Sequence, residues 1–183
     1  MVDIYPGAIL IADPFLKDPN FLRTVVFMTG HEEDGSIGFV INKQHQLKIK
    51  DIIAELEGCD FPVYNGGPVQ MDSLHFLHTC PSVISDGIEI TDGIFWGGNF
   101  EQVVYGIKSG IITDYQIRFY IGYSGWSEGQ LEDELKEKSW LTTGGNKNLV
   151  FHNNTNLIWQ DALKQMGGKY AQLVNYPIDP QLN

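Results

Sequence analysis

The sequence predicts an α+β fold. Stretches rich in β-branched and aromatic residues follow one another in runs, as in RTVVFMTG and SIGFVIN, which favours strands paired through short turns. Helical spacing of apolar residues recurs in only a few stretches, placed irregularly along the chain. The regular strand–helix–strand alternation that builds a parallel sheet does not occur.

The run GAILIAD, between Pro6 and Pro14, reads as the first strand, and DPFLKDPNF as a turn-rich connector. LRTVVFMTGHEEDGSIGFVIN reads as a β-hairpin with strands Thr24–Met28 and Ile37–Ile41 and an acidic loop from Gly30 to Ser36. Asn42 ends the second strand, where an amide side chain can satisfy loose backbone groups. KIKDIIAELEG places Ile49, Ile52, Ile53 and Leu56 at helical spacing, with Gly58 as a stop. FPVYN is a short strand entering the turn Gly66-Gly67-Pro68, and SLHFLHTC alternates as another strand. Between Ile84 and Trp96, two short strands are joined at Thr91-Asp92-Gly93. Asn99, with Gln102 three residues on, opens a helix that runs to about Lys108 and closes at Gly110.

The stretch from Arg118 to Trp140 reads as one unit. Arg118 to Tyr123 suits a strand, and Gly122, Gly125 and Gly129 then mark a turn. Ser127 and Gln130 have the form of a capping box, followed by a helix with Leu131 and Leu135 one turn apart. Trp140–Thr143 and Leu149–Phe151 are candidate strands around the polar tip GGNKN. Asn154 or Thr155 caps a last helix carrying Leu157, Ile158, Ala162 and Met166, which Gly167-Gly168 stops. The tail NYPIDPQLN has two prolines and no periodicity. With no repeat or linker, residues 1–183 read as a single domain.

Charge excludes some functions. A net charge of −11 disfavours direct nucleic-acid binding, which rests on Lys and Arg neutralising phosphates, and disfavours anionic membranes. Cys59 and Cys80 form no CxxC pair and read as buried or incidental thiols. The start MVDIYPG lacks a charged region leading into an apolar core, so a reduced, cytoplasmic protein without a membrane partner is expected.

The succession RTVVFMTGH, GSIGFVIN, VYNGGPV, LHFLH, GYSGWSEGQLEDEL followed by SW, and PIDPQLN resembles the YqgE/AlgH family of bacterial proteins, from about Gly7 to Asn183. The resemblance implies an α+β fold whose bifurcated, mostly antiparallel, barrel-like sheet is surrounded by a few helices. It implies no reaction. It brings the label of a transcriptional regulator, which would act indirectly, because no helix pair with a basic recognition helix is present.

Gly125-Trp126-Ser127-Glu128-Gly129 spells G-x-S-x-G between a predicted strand and helix, the setting of a hydrolase nucleophile. Ser127, with His31 or His152 as base, is therefore a candidate catalytic residue of a hydrolase or transferase. Against it stand the expected capping role of Ser127 and a fold without a parallel sheet. His75 and His78 sit three apart on a strand, so they point to opposite faces and read as structural; no metal site is predicted. His31 beside Glu32, Glu33 and Asp34 reads as a solvated loop. Gly66-Gly67-Pro68 lacks the spacing and Lys of a phosphate loop, and no cofactor is predicted. Arg23 and Arg118, each interrupting an apolar strand, read as snorkelling to the surface or paired with a carboxylate.

Glycine-rich turns that carry Trp and amide side chains point instead to a binding or regulatory module. The turns around His31, Asn42, Gly66-Gly67-Pro68 and Gly125–Gln130 each follow a predicted strand and are expected to meet in one groove. Trp126 would be its apolar wall, and His31, Asn42 and Gln130 its directed polar groups, for a protein or small-molecule partner.

Overall fold

The computed structural model describes residues 4–16, 18–19 and 21–176. In chain order they form β1 (Ala8–Ala12), β2 (Val25–Glu32), β3 (Gly35–Val40), β4 (Gln44–Lys48), β5 (Pro62–Asn65), β6 (Val69–His78), β7 (Ile88–Thr91) and β8 (Ile94–Trp96). Helix α1 (Phe100–Lys108), β9 (Ile117–Ser127), α2 (Gln130–Lys136), β10 (Trp140–Gly144), α3 (Lys147–Val150), α4 (Ile158–Met166) and α5 (Gly168–Gln172) complete the fold. The fold is α+β, and the strands join in one ten-stranded sheet ordered β10-β1-β2-β3-β9-β6-β8-β7, with β4 and β5 as a branch.

That sheet curls into a half-barrel and forks along β9. β6 runs antiparallel along one edge of β9. On the other edge, β5 lies parallel to Phe119–Ile121, and β3 then takes over antiparallel beside Ser124–Ser127. Gly66 sits at the fork: its N–H donates to Ile121 O at 2.8 Å, and its carbonyl accepts from Val40 N at 2.8 Å and Ser124 Oγ at 3.1 Å.

The core explains the apolar runs. β1 is buried on both faces: Ile9 and Ile11 pack with Ile158, Trp159, Ala162 and Leu163 of α4. Ala8, Leu10 and Ala12 pack with Trp126, Trp140 and Leu131 of α2. A strand covered on both sides has no solvent face to alternate with, so AILIA is continuously apolar. A third cluster puts Val103 of α1 against Ile49, Leu56, Phe76 and Phe119.

Several expectations hold at the level of atoms. Asn99 caps α1 by accepting from Gln102 N, and Asp92 and Gly93 both take positive φ between β7 and β8. Others are corrected. KIKDIIAELEG is no continuous helix: the end of β4 leads into 3-10 turns at Ile49–Asp51 and Ala54–Leu56, which place Ile49 and Leu56 in the core. A 3-10 turn repeats every three residues, so its apolar spacing mimics that of an α-helix. Leu149–Phe151 is not a strand; Asn146 accepts from Leu149 N and starts α3 instead. The hairpin loop shrinks to Glu33-Asp34, which moves His31 into β2. Gly167 ends α4, but helix resumes at Gly168. Most of the tail NYPIDPQLN lies outside the described residues.

Arg118 departs from expectation, whereas Arg23 reaches the surface as expected but without a carboxylate. Arg118 is buried and donates to the carbonyls of Asp114 and His152, lying over the Tyr64 and Phe151 rings. Arg23 lies 4.7 Å from the Trp159 ring centroid and donates to the Tyr176 carbonyl. Carbonyl dipoles and ring faces thus take the place of the expected carboxylates.

Candidate functional site

The largest correction to the sequence reading creates the site. β9 does not stop at Tyr123 but runs through Gly125 to Ser127, leaving only Glu128-Gly129 as the turn into α2. This extension carries Trp126 beneath α2, where it is 6% exposed. Gly129, with φ 71°, is the residue that precedes the helix, so Ser127 is not its cap. Half of the expected reciprocal pair survives: Ser127 N and Oγ both donate to Gln130 Oε1, at 3.1 and 3.3 Å. Leu131 is fully buried, and Leu135 is half-buried.

Gln130 and Glu134 lie one turn apart on the same face of α2, and Gln130 Nε2 donates to Glu134 Oε1 at 3.0 Å. The other oxygen, Oε2, accepts from Trp126 Nε1 at 2.9 Å and from Trp140 Nε1 at 2.7 Å. The indoles meet edge-to-face with centroids 6.1 Å apart, and Phe21 packs edge-to-face on Trp140. These groups wall a cleft of about 370 Å³, which Pro68 and Gly125 close from the fork side. The donors to Glu134 among the described residues, the two indoles and the Gln130 amide, are neutral, so its negative charge is held in place and not cancelled. The lining contains a second acid, Asp18, and no Lys, Arg or His among the described residues.

Among the residues expected in the groove, Pro68, Trp126 and Gln130 line this cleft together. His31 shares the sheet face of Trp126, since both pair with Ser36, but it stands outside the lining. Its Nδ1 is 2.8 Å from Ser36 Oγ, and its Nε2 is 3.7 Å from Glu132 on α2. Asn42 lies elsewhere, bordering a smaller cleft with Arg23, Lys43 and Trp159. Its amide performs the expected backbone service, accepting from Val25 N at 2.9 Å and donating to Arg23 O at 2.8 Å. Gly66 and Gly67 lie under the fork, where close backbone approach requires glycine. Glu134 and Phe21 are not singled out by the sequence, and Trp140 reads there only as core or groove wall. The spacing Gln130-x-x-x-Glu134 was the available signal, because residues four apart on a helix share a face.

Among the described residues, Ser127 has no base as a partner. Its hydrogen bonds go to Gln130, while His31 bonds to Ser36 and His152 pairs with Asp161 at 3.2 Å. An exposed serine without a capping role contributes little, so Ser127→Ala should change stability by less than about 0.5 kcal/mol in urea denaturation. Labelling of the wild type by a fluorophosphonate probe, lost in the same variant, would instead mark Ser127 as a nucleophile.

The two strand histidines differ in environment. His78 is fully buried, with Nε2 donating to Gly97 O at 3.0 Å and Nδ1 accepting from Cys80 N at 3.1 Å, which fixes the neutral tautomer. Burial pushes its pKa down against the opposing Gly97 bond, and burial also lowers that of His75. The unfolded chain protonates these imidazoles near the ordinary value of about 6.5, whereas the folded chain resists. Their contribution to stability is therefore complete above about pH 6.5 and is lost as pH falls toward the depressed folded-state values. Urea midpoints should decline from pH 7.5 to 5.5, and His78→Gln should flatten part of that slope.

The chain is similar to known proteins over most of its length. A family model described as AlgH-like matches residues 9–171. A UPF0301 protein of Chlorobaculum tepidum is 43% identical over 178 residues, covering 97% of this chain and 95% of the relative. One from Cytophaga hutchinsonii is 41% identical over 178 residues, covering 97% and 98%. The solution structure of the AlgH protein from Pseudomonas aeruginosa aligns with a TM-score of 0.73 at 28% identity, over 97% of this chain and 98% of that one. A crystal structure of a Corynebacterium diphtheriae protein aligns with a TM-score of 0.78 over 95% and 93%, but at 19% identity it speaks to the fold alone.

Proposed function

Because the chain belongs to the AlgH-like family across residues 9–171, we propose that it is a non-enzymatic binding module of regulatory type. Its cleft takes a positively charged group presented by a protein or small-molecule partner. The observation that carries this reading is the Glu134 carboxylate, fixed by Trp126, Trp140 and Gln130 in an aromatic-walled cleft. Three neutral donors orient the carboxylate without neutralising it, and a partly dry site strengthens its attraction for a cation. The tryptophans add directional apolar contact, the usual companion of a few placed polar groups. The chain's net charge of −11 steers basic partners toward it. Any effect on transcription would run through that partner, consistent with a surface that repels phosphates.

Isothermal titration with an arginine-rich heptapeptide and a glutamate-rich one tests this. The basic peptide should bind saturably, more weakly at higher salt, and the acidic one should not. Glu134→Gln retains an acceptor for the indoles while removing the charge, and it should weaken binding by about tenfold, equivalent to about 1.4 kcal/mol. Equal affinity of the variant would overturn the reading.

A further inference from the structure

A second cleft, of about 580 Å³, lies between the end of α2, β10 and the α4–α5 corner. Leu135, Leu141, Met166, Tyr170 and Leu173 form its apolar wall, each partly buried against the core. Lys136 and Lys138 stand on one side and Lys169 on the other. Asp13 is the acid in this lining, and its Oδ1 is engaged by Phe15 N at 2.9 Å. In a chain with 12 Lys and Arg against 23 Asp and Glu, this reverses the prevailing charge.

The lysines are available. Lys136 pairs with Asp133 at 2.8 Å, but both side chains are more than 70% exposed, and such a pair holds weakly and exchanges readily. Lys169 rests 5.1 Å from the centroid of the Tyr170 ring, which keeps its ammonium at the mouth of the cleft. The volume falls in the range of small-ligand pockets. Met166 adds a side chain that adapts to a flexible apolar body.

We propose that this cleft binds an amphipathic monoanion of the fatty-acid class, with its carboxylate on the lysines and its acyl chain along the apolar wall. The charge reversal selects the anionic head. The wall of aliphatic and aromatic side chains selects the tail, because the side-chain groups it offers a polar body are few and a buried unpaired amide is costly. The site is separate in charge and lining from the acidic cleft, apart from Trp140, which borders both.

The test is titration calorimetry with sodium octanoate, decanoate and dodecanoate, each below its micelle concentration. One molecule should bind per chain, with affinity rising about fourfold per added methylene. Decyltrimethylammonium, of equal tail length and opposite charge, should not displace decanoate from this cleft. Lys138→Gln with Lys169→Gln, both exposed positions, should weaken decanoate by about tenfold while circular dichroism stays unchanged. Absence of saturable binding, displacement of decanoate by the cation, or indifference to the lysine variant would each overturn the assignment. So would light scattering that shows a ligand-free dimer dissolved by the same variant, which would give the face to a second copy. A glutamate-rich peptide that binds where decanoate does not would give it to an acidic protein segment.

Discussion

Glu134→Ala should destabilise the protein by about 2–5 kcal/mol, since each buried donor left unpaired costs about 1–3 kcal/mol. The reason is geometric. Trp126 and Trp140 are 6% and 4% exposed, and both indole N–H groups converge on Glu134 Oε2. With the carboxylate gone, both N–H groups lose their acceptor, while the rings stay packed in the cluster with Leu10, Val26, Met28 and Leu131. Glu134→Gln keeps an acceptor in place and should cost much less. The loss from Glu134→Ala and that from Trp126→Phe, which removes one of the same N–H groups, should not add. Urea denaturation of the single and double variants measures this, and strict additivity would show that the clamp is not a unit.

Gly67→Ala should be at least as damaging, about 3–5 kcal/mol, from two causes acting together. At φ 152° the residue occupies a region that side chains rarely adopt, which costs about 1–3 kcal/mol. A Cβ there would also stand 2.3 Å from Tyr123 C and O and 2.4 Å from Ser124 N. Those are backbone atoms of β9, so relief requires the strand to move, and overpacking of this kind costs about 1–3 kcal/mol more. Because Gly67 holds Pro68 against the cleft, the variant should also lose affinity for the basic peptide. A normal thermal midpoint would show that the fork is not as tightly closed as these distances state.

Where the sequence led and where it did not follows from what a residue type can encode. Asn99 and Asp92-Gly93 act through their own backbone neighbourhood, and both were legible. The forked sheet was legible through the resemblance carried by motifs such as VYNGGPV and GYSGW. Gly122 was misread because a glycine that opens a turn and one that admits a neighbouring strand look alike in sequence. Here it is the second: a Cβ on Gly122 would lie 2.6 Å from Gly67 O, within a strand that continues. That misreading displaced Ser127 into a capping role and separated Trp126 from Glu134. Trp126 and Gln130 could still be chosen as cleft residues, since they flank the turn itself. The meeting of Glu134 with Trp140 could not be read, because it depends on the phase of α2 and on β10 pairing along β1.

The most direct measurement is a nitrogen-edited proton spectrum of the tryptophan indoles during titration with the arginine-rich heptapeptide. Trp126 and Trp140 share one carboxylate oxygen, so a cation drawn to Glu134 must perturb both N–H groups. The account predicts that these two resonances shift together and saturably. It also predicts that Trp159, whose Nε1 donates to Ala12 O at 2.9 Å on the α4 side of the sheet, stays in place. Unmoved Trp126 and Trp140 signals at peptide saturation would contradict a cation site at Glu134.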